Sequence, residues 1–270
     1  MKSDVHMQWI DTTHDRAGAR QIGVNVVSQE GLFADLEHRL AAGDGFCLAT
    51  LNLDHVVKLR QSKDFCEAYR THSHVTADGR PIAWLSRLAG QPVELLPGSD
   101  LMLPMIAMAQ RLQLPIAFFG ATEAALQGAA QNLRRSFPDL EIAACIAPPM
   151  GFDPQSPQAD AFIDALRASG ARIVFIALGA PKQEIFAQRA HAAAPHMGFA
   201  SIGAGVDFIA GTQTRAPRLV RGLAGEWLWR LAGNPRRLFW RYMACFAILP
   251  SLTVRALQGR LARNSDVRAR

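Results

Sequence analysis

The chain has 270 residues and a formal net charge of +6. Because 49% of the residues are hydrophobic and only 19% are charged, the composition excludes an intrinsically disordered chain. The length predicts one large domain, alone or with an appendage. The charge is unevenly distributed, because the segment from Arg215 to Arg270 holds 12 arginines, no lysine and only two acidic residues. That basic segment suits a negatively charged partner: nucleic acid, anionic lipid or a phosphorylated ligand.

The cysteines and the hydropathy of the chain exclude further classes. None of the four cysteines forms a CxxC pair, which argues against a zinc site or a disulfide framework and predicts reduced thiols in a cytosolic protein. Residues Met1–Arg20 are polar and lack the apolar core of a signal peptide. The longest uncharged apolar run, Tyr242–Val254, has 13 residues where a transmembrane helix needs about 20, so it is expected to lie in a membrane interface instead.

In chain order, short β-branched or aromatic runs alternate with longer helical patterns. The predicted strands are Ile22–Val27, Phe46–Leu51, His74–Ala77, Ile116–Phe119, Ile142–Ile146, Ile173–Leu178 and Phe199–Ile202. The predicted helices are Glu30–Ala42, Asp54–Arg70, Ile82–Leu88, Asp100–Gln113, Glu123–Ser136, Asp160–Ala168 and Lys182–Ala193. This alternation predicts an α/β fold with a largely parallel, Rossmann-like sheet and helices on both faces.

The strand pattern stops near Gly211, and the rest of the chain is helical in pattern and rich in arginine, with breaks at Pro217, Pro235 and Pro250. We therefore predict three parts: a polar tail over residues 1–20, an α/β domain over residues 21–211, and a basic, membrane-associating appendage over residues 212–270.

Ligands of parallel sheets bind at the carboxyl ends of the strands, so the turns there form the candidate site. Gly179-Ala-Pro-Lys-Gln-Glu184 follows a predicted strand, and the N-terminus of the next helix offers free N–H groups to an anion. Lys182 and Gln183 are suited to hydrogen-bond phosphate or sugar hydroxyl groups. A plain strand–helix turn, with Glu184 in its first helical turn, explains the same residues equally well.

Two aspartates follow other strands. Asp207 comes just after Gly203-Ala-Gly205, where it could bind a ribose or uracil hydrogen or serve as a turn residue or helix cap. The third glycine of a dinucleotide fingerprint is absent, since Phe208 stands there, and this disfavours NAD. Asp78 in Ala77-Asp78-Gly79 is by default a turn residue, and its place at a strand end makes it a candidate general base.

Thr50-Leu-Asn52-Leu-Asp54-His55 is another polar strand exit. If the strand continues, alternation places Thr50, Asn52 and Asp54 on one side, whereas Asp54 could equally cap the next helix. His55 has no partner at metal-ligand spacing and is expected to be a core or surface histidine.

Three arginines of the tail, Arg230, Arg237 and Arg241, are spaced so that they would share one face of a continuous helix, although Asn234-Pro235 interrupts it. Arginine binds phosphate through paired hydrogen bonds, and tryptophan suits a membrane interface. The same residues could instead form a solvated cationic surface with the nearby tryptophans in its core.

Taken together, these segments resemble the WecG/TagA/CpsF family, glycosyltransferase family 26, from about Ile22 to Tyr242. The matching motifs are Thr50-Leu-Asn52, Ala77-Asp78-Gly79, Gly98-Ser-Asp100-Leu, Phe119-Gly120, Gly151-Phe152, Ala177-Leu-Gly-Ala-Pro-Lys-Gln-Glu184, Gly203–Gly211, Arg215-Ala-Pro217 and Glu226-Trp-Leu-Trp-Arg230. None is decisive alone, but jointly they are specific.

The resemblance implies a bacterial, inverting, UDP-sugar-dependent hexosyltransferase, peripheral on the cytoplasmic face of the inner membrane. Members typically move N-acetylmannosamine or its uronic acid from UDP to undecaprenyl-diphosphate-linked N-acetylglucosamine, and related members move other hexoses in exopolysaccharide synthesis. The implied partners are a UDP-sugar, a polyprenyl-diphosphate-linked acceptor and an anionic membrane surface, without a metal or other cofactor and without nucleic acid. A homo-oligomer is compatible with this reading.

By position, the resemblance assigns roles to individual residues. Asp78 resembles the base that deprotonates the acceptor hydroxyl. The others resemble ligand contacts: Thr50, Asn52 and Gln183 in the sugar pocket, Asp207 at the uridine, and Arg230, Arg237 and Arg241 at the diphosphates. Lys182, at its helix N-terminus, is expected to help these arginines stabilise the UDP leaving group.

The chain departs from the family pattern at Glu94-Leu95-Leu96, where the family usually has Glu-Arg-Val before Gly-Ser-Asp. A basic side chain near the donor is missing, so the resemblance leaves the donor sugar open. Two other functions are compatible with the sequence. One is a nucleotide-dependent oxidoreductase, in which the tail has no role. The other is a non-catalytic membrane-docking component of a polysaccharide assembly, in which Asp78 is dispensable.

Overall fold

A single parallel sheet forms the centre of the protein. The computed structural model describes residues 22–212 and 235–268. This part of the chain contains six strands: β1 (Phe46–Leu51), β2 (His74–Ala77), β3 (Ile116–Gly120), β4 (Ile142–Ile146), β5 (Ile173–Ala177) and β6 (Gly198–Ser201). They pair in the order β2-β1-β6-β5-β3-β4, and every neighbouring pair is parallel.

Helices cover both faces of this sheet. Within the described residues they are α1 (Gln29–Ala41), α2 (Leu53–Gln61), α3 (Lys63–Thr71), α4 (Arg80–Leu88), α5 (Gly98–Arg111), α6 (Glu123–Ser136), α7 (Pro157–Ala168), α8 (Lys182–Ala193), α9 (Gly205–Ala210) and α10 (Pro235–Arg268). Alternate residues of the strands face different helices. In β1, Phe46 and Leu48 pack with α1 and α5, whereas Ala49 and Leu51 pack with α2 and α3. The predicted α/β fold with a parallel sheet and a C-terminal helix is confirmed.

Six of the seven predicted strands form within one residue at each end, but Ile22–Val27 is not a strand. Its alternating residues Ile22, Val24 and Val26 are buried as predicted. The Asn25 side chain pairs with β2: its Oδ1 accepts the N–H of Val75 at 2.7 Å and its Nδ2 donates to the Ser73 carbonyl at 2.7 Å. The backbone N–H groups of Asn25 and Val26 both donate to the Val75 carbonyl, at 3.1 and 3.3 Å, so the segment covers the outer edge of β2 without forming a regular ladder.

The helices differ from the prediction at three points. The predicted helix Asp54–Arg70 is divided at Ser62, whose hydroxyl accepts the N–H of Phe65 and so caps α3. Helix α9 was not predicted, because six residues are too few to show a helical period. Pro250 does not end α10 but lies inside it, as Pro104 lies inside α5.

Helix α10 packs on the domain through one of its faces. Leu252 and Ala256 are fully buried in the cluster that also contains residues of α2, α3 and α4. Arg263 donates to the carbonyl of Ala89 at the C-terminal end of α4, where a cation also suits the helix dipole. This packing offsets the hydrogen bond that Pro250 removes from the helix, a loss of roughly 3 kcal/mol. In the part of the chain that the structure describes, no helix is long and apolar enough to span a membrane.

Candidate active site at the carboxyl edge of the sheet

The strand order places the exits of β2, β1, β6 and β5 side by side. Asn52 connects the first two. It follows β1 and caps α2, accepting on Oδ1 the N–H of His55 at 3.0 Å. Its Nδ2 donates to Oδ2 of Asp78 at 3.1 Å. One amide thus holds a helix start with its oxygen and orients the predicted base with its nitrogen.

Asp78 itself is held by the backbone on both sides. Its N–H donates to the Leu51 carbonyl at 2.8 Å, which carries the β1–β2 pairing one residue further. The next residue, Gly79, has φ of +95°, a conformation that a side chain disfavours, and it leads directly into α4. The half-buried carboxylate therefore stands at a defined position above the sheet edge.

Thr50 lies below Asn52 on β1 and is buried. The start of α5 approaches it closely, since a Cβ on Gly98 would lie 3.2 Å from Cγ2 of Thr50 and 3.1 Å from Cα of Ile202. Gly98 therefore allows α5 to begin against the exits of β1 and β6. This accounts physically for one glycine of the Gly-Ser-Asp motif.

Gln183 connects the exits of β5 and β6. Its Oε1 accepts the N–H of Gly179 at 3.2 Å and that of Gly203 at 3.1 Å, so the atom that faces these two donors must be the oxygen. Its Nε2 donates to Oε1 of Glu184 at 2.8 Å. The side chain predicted for the sugar pocket thus also holds two strand exits together.

Glu184 is a fully buried carboxyl directly beneath this amide. Burial raises its pKa to about 7, although the hydrogen bond from Gln183 opposes the shift. Its second oxygen, Oε2, has no hydrogen-bond partner among the described residues. The protonation state of Glu184 therefore changes near neutral pH, immediately beside a predicted pocket residue.

Lys182 and Asp207 lie at the same edge but have local partners. Nζ of Lys182 donates to the carbonyl of Phe152, in the loop that follows β4. Asp207 is in the first turn of α9 and accepts from the Thr212 hydroxyl at 3.3 Å. Their predicted contacts with phosphate and uridine stay predictions.

Asp54 does not occupy either of its predicted places. The strand ends at Leu51 and Asn52 is the cap, so Asp54 lies inside α2 rather than in line with Thr50. There its Oδ2 is 2.8 Å from Nζ of Lys58 and its Oδ1 is 2.9 Å from Nε of Arg241. This pair ties α10 to the strand exits. The other two tail arginines cannot be placed, because Arg230 and the side chain of Arg237 lie outside the described residues.

His55 is a core histidine. Its Nδ1 is 2.6 Å from the hydroxyl of Tyr69, and burial lowers its pKa to about 3, so the ring is neutral.

Glu94, in the segment that departs from the family pattern, accepts the N–H of Gln29 at 2.7 Å. It therefore supports the start of α1.

A second polar cluster at the amino edge of the sheet has the composition of a hydrolase triad. Nδ1 of His74 is 2.9 Å from Oγ of Ser73, and Nε2 of His74 is 2.8 Å from Oδ2 of Asp35. Oγ of Ser73, however, also accepts the N–H of Cys47 and donates to its carbonyl, both at 3.0 Å. The Ser73 hydroxyl therefore already hydrogen-bonds the backbone of β1 as both donor and acceptor, and the cluster is structural.

Comparison with known proteins identifies the family. The sequence profile described as the glycosyl transferase WecG/TagA/CpsF family matches residues 19–266. The chain belongs to the WecG/TagA/CpsF glycosyl transferase family. It is also similar to the N-acetylglucosaminyldiphosphoundecaprenol N-acetyl-beta-D-mannosaminyltransferase of Bacillus spizizenii strain W23, with 26% identity over 200 residues, which cover 74% of this chain and 75% of the relative.

Within this family fold, the structure brings together Asn52, Asp78 and Gln183 at one edge. It adds Asp54, Lys58 and Glu184, to which the sequence analysis assigned no binding or catalytic role. Periodicity could not have found these three, because their partners are far apart in the chain or masked by an ordinary helical pattern. Among residues 22–212 and 235–268, no group of three or more His, Cys, Asp or Glu side chains could hold a metal ion.

Proposed function

We propose that this protein transfers a hexose from a UDP-sugar to an undecaprenyl-diphosphate-linked saccharide in the synthesis of a bacterial surface polysaccharide or exopolysaccharide. The hexose is N-acetylmannosamine, its uronic acid or a related sugar. Two findings support the proposal: membership of the glycosyl transferase family and similarity to a transferase whose name contains both a mannosaminyl donor group and an undecaprenol-linked acceptor. The observation that carries the chemistry is the Asn52–Asp78 contact at the carboxyl edge.

The proposed reaction is a single inverting displacement. The acceptor hydroxyl oxygen attacks the anomeric carbon of the donor, its proton passes to the Asp78 carboxylate, and the bond from that carbon to the UDP oxygen breaks. Asn52 donates to Oδ2 of Asp78 and so holds the carboxylate in one orientation. The second strand-exit amide, Gln183, lines the same edge.

The leaving UDP gains negative charge as this bond breaks. We propose that cationic side chains and the N-terminus of α8 stabilise that charge, without a metal ion. Arg241 is the best-placed described candidate, because it is bound to Asp54 two residues from Asn52. Arg230 and Arg237 are proposed to act with it, and chelator-insensitive transfer is the expected result.

We further propose that α10 lies on the cytoplasmic face of the inner membrane, where nucleotide sugars and the lipid acceptor meet. The helix buries one face on the domain and leaves a second apolar row exposed: Phe239, Met243, Phe246, Val254, Leu257 and Leu261. Trp240, beside this row, is 75% exposed. Six arginines and no acidic residue occur between Pro235 and Asn264. This charge favours anionic lipid over a second copy of the same helix, which it would repel.

The test is a UDP-release assay with purified protein, a lipid-diphosphate-sugar acceptor in detergent and a panel of UDP-sugars. Asp78→Asn keeps the size of the side chain but cannot take the proton, so acceptor-dependent release should fall by ~100-fold or more. Asp164→Asn, an exposed carboxylate on α7, is the matched control and should retain wild-type activity.

The outcomes separate the candidate functions. Release from one donor, lost in Asp78→Asn, supports the transferase and names the donor. UDP binding without release from any donor favours the non-catalytic docking role. Absence of UDP binding counts against the proposed function altogether.

A further inference from the structure

A cluster of three charged side chains joins the C-terminal helix to the carboxyl edge of the sheet. The Asp54 side chain is only 11% exposed and contacts a different cation with each oxygen, Arg241 at 2.9 Å and Lys58 at 2.8 Å. Nζ of Lys58 also donates to the carbonyl of Ala180 at 3.0 Å. Ala180 lies in the turn between β5 and α8. One carboxylate therefore connects α2, the exit of β5 and α10.

This cluster shares its backbone with the candidate site. Asp54 is two residues after Asn52, and Ala180 is three residues before Gln183. Asp54 and Lys58 therefore contact the same two strand exits that carry both amides of the edge. An exposed ion pair with no such neighbours would contribute little to stability and nothing to catalysis.

Arg241 contacts Asp54 through Nε, the inner nitrogen of its guanidinium, at 2.9 Å. The two terminal nitrogens form the edge of a guanidinium that binds a phosphate with two parallel hydrogen bonds. The side chain is 41% exposed, so a ligand can reach it.

We propose that Asp54 is a positioning residue of the transfer reaction: it holds Nε of Arg241 and Nζ of Lys58, and so fixes the guanidinium of α10 beside Asn52 and Gln183 to bind the donor diphosphate. The inference rests on the proposed function, since it takes the donor to be a nucleoside diphosphate sugar. Asp54 touches neither substrate, and acts only through the two cations.

The experiment measures UDP affinity by titration calorimetry and transfer kinetics on the lipid acceptor, together with thermal unfolding. Asp54→Asn keeps the side-chain volume but releases both cations, so UDP affinity and kcat/KM should each fall by ~10- to 100-fold. Asp54→Glu should restore part of both. In the Arg241→Ala variant, adding Asp54→Asn should lower UDP affinity and kcat/KM little further, because the side chain that Asp54 positions is already absent.

Two further variants keep the test decisive. Arg241→Lys retains the positive charge, but an ammonium group cannot bind Asp54 with one nitrogen and a phosphate with two others. It should therefore lower UDP affinity as much as Asp54→Asn does. This comparison tests the proposal even if Asp54→Asn folds poorly. Asp35→Asn is the matched control: its carboxylate also contacts two basic side chains, Arg39 and His74, but at the amino edge of the sheet. It should alter unfolding without altering UDP affinity.

The possible results separate the inference from the function on which it rests. The positioning role is overturned if Asp54→Asn leaves UDP affinity unchanged. It is also overturned if Asp54→Asn lowers UDP affinity as much in the Arg241→Ala variant as in wild type. Neither result affects the proposed transfer function, because transfer still proceeds. Wild-type protein that binds UDP but transfers no sugar overturns the transfer role of Asp54 along with the proposed function. The same is true of wild-type protein that does not bind UDP.

Discussion

Nδ2 of Asn52 donates a hydrogen bond to Oδ2 of Asp78 at 3.1 Å, although the two residues are 26 positions apart in the chain. The contact exists because β1 and β2 are parallel neighbours, so the residues that follow them arrive at the same edge. Asn52 also caps α2 with its other amide atom. The two functions of this side chain can be separated by substitution.

Asn52→Ser should preserve the helix cap while removing the hydrogen bond to Asp78. Serine caps helices about as well as asparagine but is too short to reach Asp78. We expect kcat/KM to fall by ~10-fold or more with little change in the free energy of unfolding. Asn52→Ala should lose the same activity and, in addition, about 1 kcal/mol of stability.

The control for the cap is Thr122→Ala, which removes the equivalent cap of α6 next to the exit of β3. It should lower stability by about 1 kcal/mol and leave kcat/KM unchanged. Full activity in Asn52→Ser would show that the contact with Asp78 has no catalytic role.

Glu184→Gln should change how stability depends on pH. The folded-state pKa of about 7 lies above the unfolded value of 4.5, so between these limits the folded protein binds more protons at this site. The stability that Glu184 contributes is therefore present below pH 4.5 and is lost as the pH rises through 7.

The variant removes this loss, so at pH 8 it should be more stable than wild type by on the order of 3 kcal/mol, and near pH 4 the two should agree. Denaturant unfolding at several pH values measures the difference. Glu30→Gln, the same substitution at an exposed glutamate of α1, is the matched control. A difference that does not vary with pH would contradict the predicted titration.

Gly120→Ala should destabilise the end of β3. Gly120 has φ of +105°, and an added Cβ would lie 2.6 Å from the backbone carbonyl of Ala177 on β5. Strain and overlap act together, so we expect a loss of about 3 kcal/mol in the free energy of unfolding.

Gly151→Ala separates these two causes. Gly151 has φ of +83° but no heavy atom within 4 Å of the added Cβ, so only the backbone strain remains, about 1 kcal/mol. Thermal unfolding of both variants gives the comparison. Equal losses of unfolding free energy in the two variants would mean that the overlap of the added Cβ with Ala177 does not destabilise the protein.

Leu257→Ser should weaken binding to lipid vesicles that contain anionic lipid, measured by co-sedimentation. Leu257 belongs to the exposed apolar row of α10 and is 42% exposed, so its loss should not affect folding. Leu103→Ser, at a similarly exposed leucine on α5, is the matched control and should bind vesicles as wild type does. Equal weakening by both variants would indicate non-specific adhesion rather than a membrane-binding helix.

The sequence by itself determined the local elements of this protein. Strand patterns such as Phe46–Leu51 and Ile173–Leu178 were located correctly because burial on both faces requires a continuous apolar run. The place of Asp78 at a strand end followed in the same way. These features depend on neighbours within a few residues, and the one-dimensional pattern contains that information.

Only the tertiary structure decided which elements meet. The strand order places β6 between β1 and β5, and this brings Gly203 and Gly179 to the same oxygen of Gln183. It also brings Arg241 of the C-terminal helix to Asp54, which the sequence left open between a strand-exit residue and a helix cap. Such contacts result from long-range packing of whole faces, which no local period records. For this reason Asn52 and Gln183 could be predicted as site residues from the strand ends, whereas the contact of Asp54 with the C-terminal helix could not.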